Sequence, residues 1–101
     1  MPGDSPLVDG RTLEEFVRGI VADVLVVAAE DVRPGAALIR DLGAESIDFM
    51  DLVFRLEEGM HIRIPFTRWQ QFLEGALAGQ DPVVAITPET IEAFARQVAV
   101  E

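Results

Sequence analysis

Apolar side chains in this chain recur at intervals of three and four, a spacing that limits it to amphipathic helices packed on a shared core. Leu13, Phe16, Val17, Ile20, Val21, Val24 and Leu25 form the first such stripe. Thr12 and Glu15 stand before it as a capping box, the hydroxyl accepting from an early amide while the glutamate reaches back. A first helix of roughly four turns is expected, ending at the loop Asp31-Val32-Arg33-Pro34-Gly35. Leu38, Ile39 and Leu42 punctuate a long connection that lies on the bundle. A second helix is expected from Ser46 to about Gly59, with the Ser46 hydroxyl as its cap.

Met60 to Pro65 reads as a connection with Ile62 and Ile64 pointing the same way. A third helix follows, capped by Thr67, carrying Trp69, Phe72, Leu73, Ala76 and Leu77, and stopped by Gly79. Gln80 to Ile86 reads as a loop. Thr87-Pro88-Glu89-Thr90 then supplies a cap, a proline at the first helical position and an acid in the first turn. The last helix has Ile91, Phe94, Ala95 and Val98 on its apolar face. The expected fold is all-α, a four-helix bundle with a lengthened third-helix region and no internal repeats. Residues 1–10, rich in Pro, Gly, Ser and Asp, read as a flexible N-terminal tail, and residues 11–101 as the helical domain.

Composition narrows the function. A chain of 101 residues, half of them hydrophobic, has room for one modest core. Without cysteine it has no disulfide, thiolate metal site or cysteine nucleophile, which suits a reducing compartment. The first ten residues hold no basic residue and no apolar run, so neither a signal peptide nor a stable membrane insertion is expected, and a cytoplasmic monomer is. Eighteen acids oppose eight bases, all arginine, for a formal charge of −10. Such a field repels nucleic acids and anionic lipid surfaces and favours partners with basic patches.

The second helix has two apolar arcs. At about 100° per residue, Phe49, Leu52, Val53, Leu56 and Met60 share the core face. Ile47, Met50 and Phe54 fall elsewhere, among Asp51, Glu57 and Glu58. Large apolar groups interleaved with acids suit a docking face, burial coming from the former and steering from the latter. The alternative is that the third helix folds over them. Arg55 lies on the side of Asp48 and Asp51 and is placed to pair with them.

Catalysis is not expected. The sole histidine, His61, has no relay partners, and there is no Tyr or Lys to act as a base. Ser46 lacks the glycine pattern of a hydrolase elbow. Asp41, Gly43 and Glu45 hint at a calcium loop, but its twelfth position is Leu52, which cannot ligate. No metal site follows.

Ser5 lies in the tail, which leaves Ser46 as the serine of the helical domain. A phosphodiester on it would be favoured by the free amides and positive dipole end of the second helix. Glu45 and Asp48 oppose that anion, so they need another purpose, such as binding a cationic enzyme.

Leu42-Gly43-Ala44-Glu45-Ser46-Ile47-Asp48, followed by Phe49-Met50-Asp51-Leu52-Val53-Phe54-Arg55-Leu56-Glu57-Glu58, resembles the Leu-Gly-x-Asp-Ser-Leu-Asp motif and second helix of acyl carrier proteins. The likeness runs through Ile62-Arg63-Ile64-Pro65. It implies 4′-phosphopantetheine, taken from coenzyme A, on Ser46. It also implies contacts to enzymes by Glu45, Ile47, Asp48, Met50, Asp51, Phe54, Glu57 and Glu58. The implied partners are a phosphopantetheinyl transferase and the acyl-chain-elongating and acyltransferase enzymes, each with a basic docking patch.

Glu45 departs from the family's usual Asp by one methylene. About twenty residues separate Pro65 from the last helix, far more than in ordinary fatty-acid carriers. That extension, with its Phe-Thr-Arg-Trp ending at Trp69, resembles specialised bacterial carriers that hold very long acyl chains for lipid A. Phe49, Leu52, Val53, Leu56, Met60, Trp69 and Phe72 then line an acyl pocket or simply fill the core. A helical interaction module without the arm and a carrier of aminoacyl or peptidyl groups are the competing readings.

Overall fold

The structure is a computed structural model that describes the backbone of residues 7–8 and all of residues 10–100. Much of the expected tail, residues 1–6 and 9, lies outside the described residues. Leu7–Val8 (β1) pairs antiparallel with Arg11–Thr12 (β2), Leu7 opposite Thr12 and Val8 opposite Arg11. The remaining elements are helical: α1 (Leu13–Leu25), a 3₁₀ turn (Ala29–Asp31), α2 (Ser46–Met60), α3 (Phe66–Leu77), α4 (Pro82–Ala85) and α5 (Pro88–Ala99). The all-α expectation holds, with four long helices around one core.

Helix α1 begins as its capping box dictates. Glu15 N–H donates to the Thr12 hydroxyl at 3.2 Å, and Thr12 N–H to the Glu15 carboxylate at 3.1 Å. Its stripe Leu13, Phe16, Val17, Ile20 and Val21 is buried against α2 and α5. Gly59 is required where α1 meets α2, because a Cβ there would overlap the Phe16 ring. At the other end of the chain Thr87 caps α5, accepting from Thr90 N–H at 3.4 Å, with Pro88 next.

Three boundaries differ from expectation. Helix α3 starts at Phe66 without any side-chain cap. Thr67 is therefore inside the first turn, where its hydroxyl cannot act as the cap. Pro65 sets the entry instead, at φ −61° and ψ 142°, with its carbonyl accepting from Arg68 N–H at 2.9 Å. The segment expected as a loop contains α4, a single turn that Asp81 caps through Val83 N–H at 3.0 Å. Helix α2 runs one residue further than expected, to Met60, and closes on His61 in the left-handed region at φ 58°.

The core is aromatic where α2, α3 and α5 converge. Trp69 is stacked on Phe49 at 5.8 Å and on Phe72 at 6.2 Å, and meets Phe94 edge-on at 5.1 Å. Phe72 and Phe94 close the cluster at 5.3 Å. Rings that pair in these geometries contribute roughly 0.5–1.5 kcal/mol each beyond their burial. The lengthened third-helix region is thus anchored through Trp69 to both neighbours.

Candidate functional site

The stretch before Ser46, read from the sequence as a long connection, is a run of turns fixed by backbone hydrogen bonds. Asp41 N–H donates to Ala37 O at 2.8 Å, Gly43 N–H to Ile39 O at 3.2 Å and Ala44 N–H to Leu38 O at 2.9 Å. Ala37, Leu38 and Ala44 are buried beneath this coil. Two more bonds stitch it to the far end of the chain: Leu38 N–H to Ile86 O at 2.9 Å and Arg40 N–H to Val83 O at 3.2 Å. Helix α4 supplies the second acceptor and its C-cap the first. Sequence periodicity had no means of finding this support, because four residues carry no helical period.

The coil also has a carboxylate brace. Asp41 Oδ2 accepts from Ala37 N–H at 2.9 Å, and Arg40 Nε donates to Asp41 Oδ1 at 2.9 Å. The Arg40 hydrogen bond, then the Ala37 amide, hold the Asp41 carboxyl below its usual range. Gly43 at φ +77° turns the chain into α2, a conformation only glycine adopts without strain.

Ser46 is the first helical residue of α2, one position later than expected for a cap. The N-cap position belongs to Glu45, and the side chain that closes the turn is Asp48. Its Oδ2 accepts from Glu45 N–H at 2.8 Å. The Ser46 side chain is exposed and makes no hydrogen bond among the described residues. Its hydroxyl is therefore free for chemistry, and the amides of the first turn stand beside any phosphate placed on it.

Ile47, Met50 and Phe54 line the outward side of α2, with 69%, 56% and 53% of their surface exposed. Helix α3 does not cover them. Glu45, Asp51 and Glu58 are exposed around them and Asp48 is half-buried. Arg55 pairs with Asp51 at 3.6 Å and with Asp23 of α1 at 3.9 Å, not with Asp48. Glu57 is half-buried, and its Oε2 accepts from Ile64 N–H at 2.7 Å, pinning the α2–α3 loop.

On the opposite arc Phe49, Leu52, Val53 and Leu56 are buried and Met60 half-buried. Trp69 is buried and Phe72 half-buried, both within the aromatic cluster. Among the described residues no group of acids and histidine is arranged to hold a metal ion. No helix among them is long and apolar enough to cross a membrane.

The site is thus an exposed serine at the start of an acidic helix whose outward side also carries apolar side chains. The family model described as the phosphopantetheine attachment site matches residues 15–72, more than half of the chain and inclusive of Ser46 and all of α2. The chain is 38% identical over 63 residues to the acyl carrier protein of Nitratidesulfovibrio vulgaris strain DP4, spanning 62% of this chain and 83% of that one. The acyl carrier protein of the Hildenborough strain matches with the same identity and coverage.

The chain belongs to the acyl carrier protein family. It is a carrier and not a catalyst, and its cofactor is covalently attached 4′-phosphopantetheine. That group supplies a thiol on which acyl cargo is held as a thioester. Carriers of this family work with phosphopantetheinyl transferases and acyl-processing enzymes.

Proposed function

We propose that Ser46 bears the phosphopantetheine arm and that the exposed side of α2 delivers the loaded arm to acyl-processing enzymes. The observation that carries this reading is the Ser46 side chain: exposed, without a hydrogen-bond partner, and in the first turn of α2. In arm transfer the Ser46 oxygen forms the new bond to phosphorus as the coenzyme A pyrophosphate linkage breaks. Its proton goes to a base of the transferase. Ile47, Met50 and Phe54 supply the apolar contact, and Glu45, Asp48, Asp51 and Glu58 orient a basic patch. Glu57 contributes charge while it holds the loop. The setting is cytoplasmic, where the chain acts as a monomer.

The cargo we infer is a long acyl chain, of the very-long-chain type used for lipid A. Its support is α3, which adds a twelve-residue helix and brings Trp69 and Phe72 into the interior. Rotation of those rings would open apolar volume between α2, α3 and α5. Incubation with coenzyme A and a phosphopantetheinyl transferase is expected to raise the intact mass by one arm, and Ser46→Ala to gain nothing. Arm addition to Ser46→Ala would move the site elsewhere. The acyl group on protein purified from its native host tests the cargo: aminoacyl or short-chain cargo alone would overturn the long-chain reading.

A further inference from the structure

The charge of the docking helix does not run its full length. From Glu45 to Glu58 the sequence places five acids against one base, Arg55; from Gly59 to Leu73 it places His61, Arg63 and Arg68 and no acid. The change of sign falls on the α2–α3 loop, roughly 20 Å from Ser46 by the rise of α2.

That loop is fixed. Ile62 N–H donates to Glu57 O at 3.2 Å, and Ile64 N–H to the Glu57 carboxylate at 2.7 Å. Ile64 is buried and Ile62 half-buried. Arg63 stands exposed between them and has no ion-pair partner among the described residues. Elsewhere Arg40, Arg55 and Arg96 each face a carboxylate, Arg18 donates to Val32 O at 3.4 Å, and Arg11 lies over the Phe16 ring at 6.0 Å. Arg63 and His61 share a shallow groove with Glu57 and Glu58, so the far end of the docking face has mixed charge where the arm end is acidic.

Resting on the docking role of α2, we propose that Arg63 is a specificity-determining residue: it disfavours enzymes whose patch is basic throughout and selects those presenting a carboxylate beyond their basic residues. Fixed backbone on both sides means that only the Arg63 side chain has to be ordered at the interface, so the position of its charge relative to α2 is set by the loop. Because it is exposed, its effect is electrostatic and screened by salt.

The probe is a phosphopantetheinyl transferase with a wholly basic docking surface. Its binding to the unmodified carrier is read by fluorescence anisotropy, so the measurement does not depend on arm transfer. At low salt Arg63→Glu should tighten binding 3- to 10-fold, Arg63→Gln should fall between, and both gains should shrink at high salt. Replacing the transferase residue nearest position 63 by Glu should reverse the order, favouring the wild-type carrier. Arg63→Glu binding no tighter than wild type, while Asp51→Lys weakens binding, would overturn the proposal. Failure of Asp51→Lys to weaken binding would instead remove the docking face on which it rests. Failure of Ser46 to accept the arm speaks only to the attachment site.

Discussion

Helix α2 puts similar residues to opposite uses on its two sides. Phe49, Leu52, Val53 and Leu56 are buried in the bundle, while Ile47, Met50 and Phe54, drawn from the same residue classes, stand in solvent. Burial of each inward side chain stabilises the fold by roughly 1.5–3 kcal/mol. The outward ones contribute nothing comparable to the isolated chain. On the docking role proposed for α2 they are surface held ready for another molecule, and the acids around them keep that surface soluble meanwhile. Stability and function are thus separable along one helix, residue by residue.

The sharpest separation is at Ser46. Ser46→Ala is expected to abolish arm loading completely, read by intact mass, while its urea midpoint stays within the equivalent of about 0.5 kcal/mol of wild type. A serine that capped α2 would instead cost about 1 kcal/mol when removed. Asp48→Ala should show that cost, because the carboxylate that closes the first turn is there.

Leu52→Ala and Phe54→Ala compare the two sides directly. Leu52 is fully buried, and its truncation should lower stability by about 2–5 kcal/mol in denaturant unfolding. Phe54→Ala should leave stability within about 0.5 kcal/mol and weaken transferase binding about tenfold, as an interface anchor does. Equal destabilisation by both would mean that the outward side is covered in the folded protein.

How much of this was legible in the sequence follows from the range of the interactions. The caps at Thr12 and Thr87 and the two arcs of α2 are local, fixed by neighbours three and four residues away, and they read correctly. Ser46 and Thr67 are each the kind of residue that caps, yet Asp48 and the rigid Pro65 took those roles. Residue type alone does not say which of several nearby groups closes a turn. Helix α4 and its bonds to Leu38 and Arg40 join positions more than forty residues apart. No periodic signal reports such a contact. The Glu57–Ile64 bond was hidden for a simpler reason, since an acid on a helix surface reads as solvated or as docking charge.

The end of α1 gives a smaller effect. Val26 closes that helix at φ 56° and ψ 51°, with 87% of its surface exposed. A β-branched residue in the left-handed region is strained by about 1–2 kcal/mol, and the backbone bonds to Ala22 O that this turn makes do not depend on the Val26 side chain. Val26→Gly should therefore raise stability by about 0.5–1 kcal/mol after the added freedom of the unfolded chain is deducted. A calorimetric melting temperature at or below that of wild type would mean that the entropy cost of glycine matches or exceeds the strain relieved.

The smallest effect concerns the coil that presents Ser46, and it appears only in acid. The Asp41 carboxyl lies below its ordinary value, first because Arg40 hydrogen-bonds it and then because Ala37 N–H does. With the folded value depressed, the unfolded chain binds the proton more readily. The brace is therefore complete above the unfolded value near 3.8 and is lost as pH falls through the folded one. Asp41→Asn should be less stable than wild type at neutral pH, and the gap in urea midpoints should close as pH falls through the lowered folded value, where wild-type Asp41 also becomes neutral. The group is fully exposed, so a small gap is expected throughout. A gap that persists unchanged into acid would mean that the carboxylate braces the coil by its shape and its bond to Ala37, with the charge shared with Arg40 adding nothing.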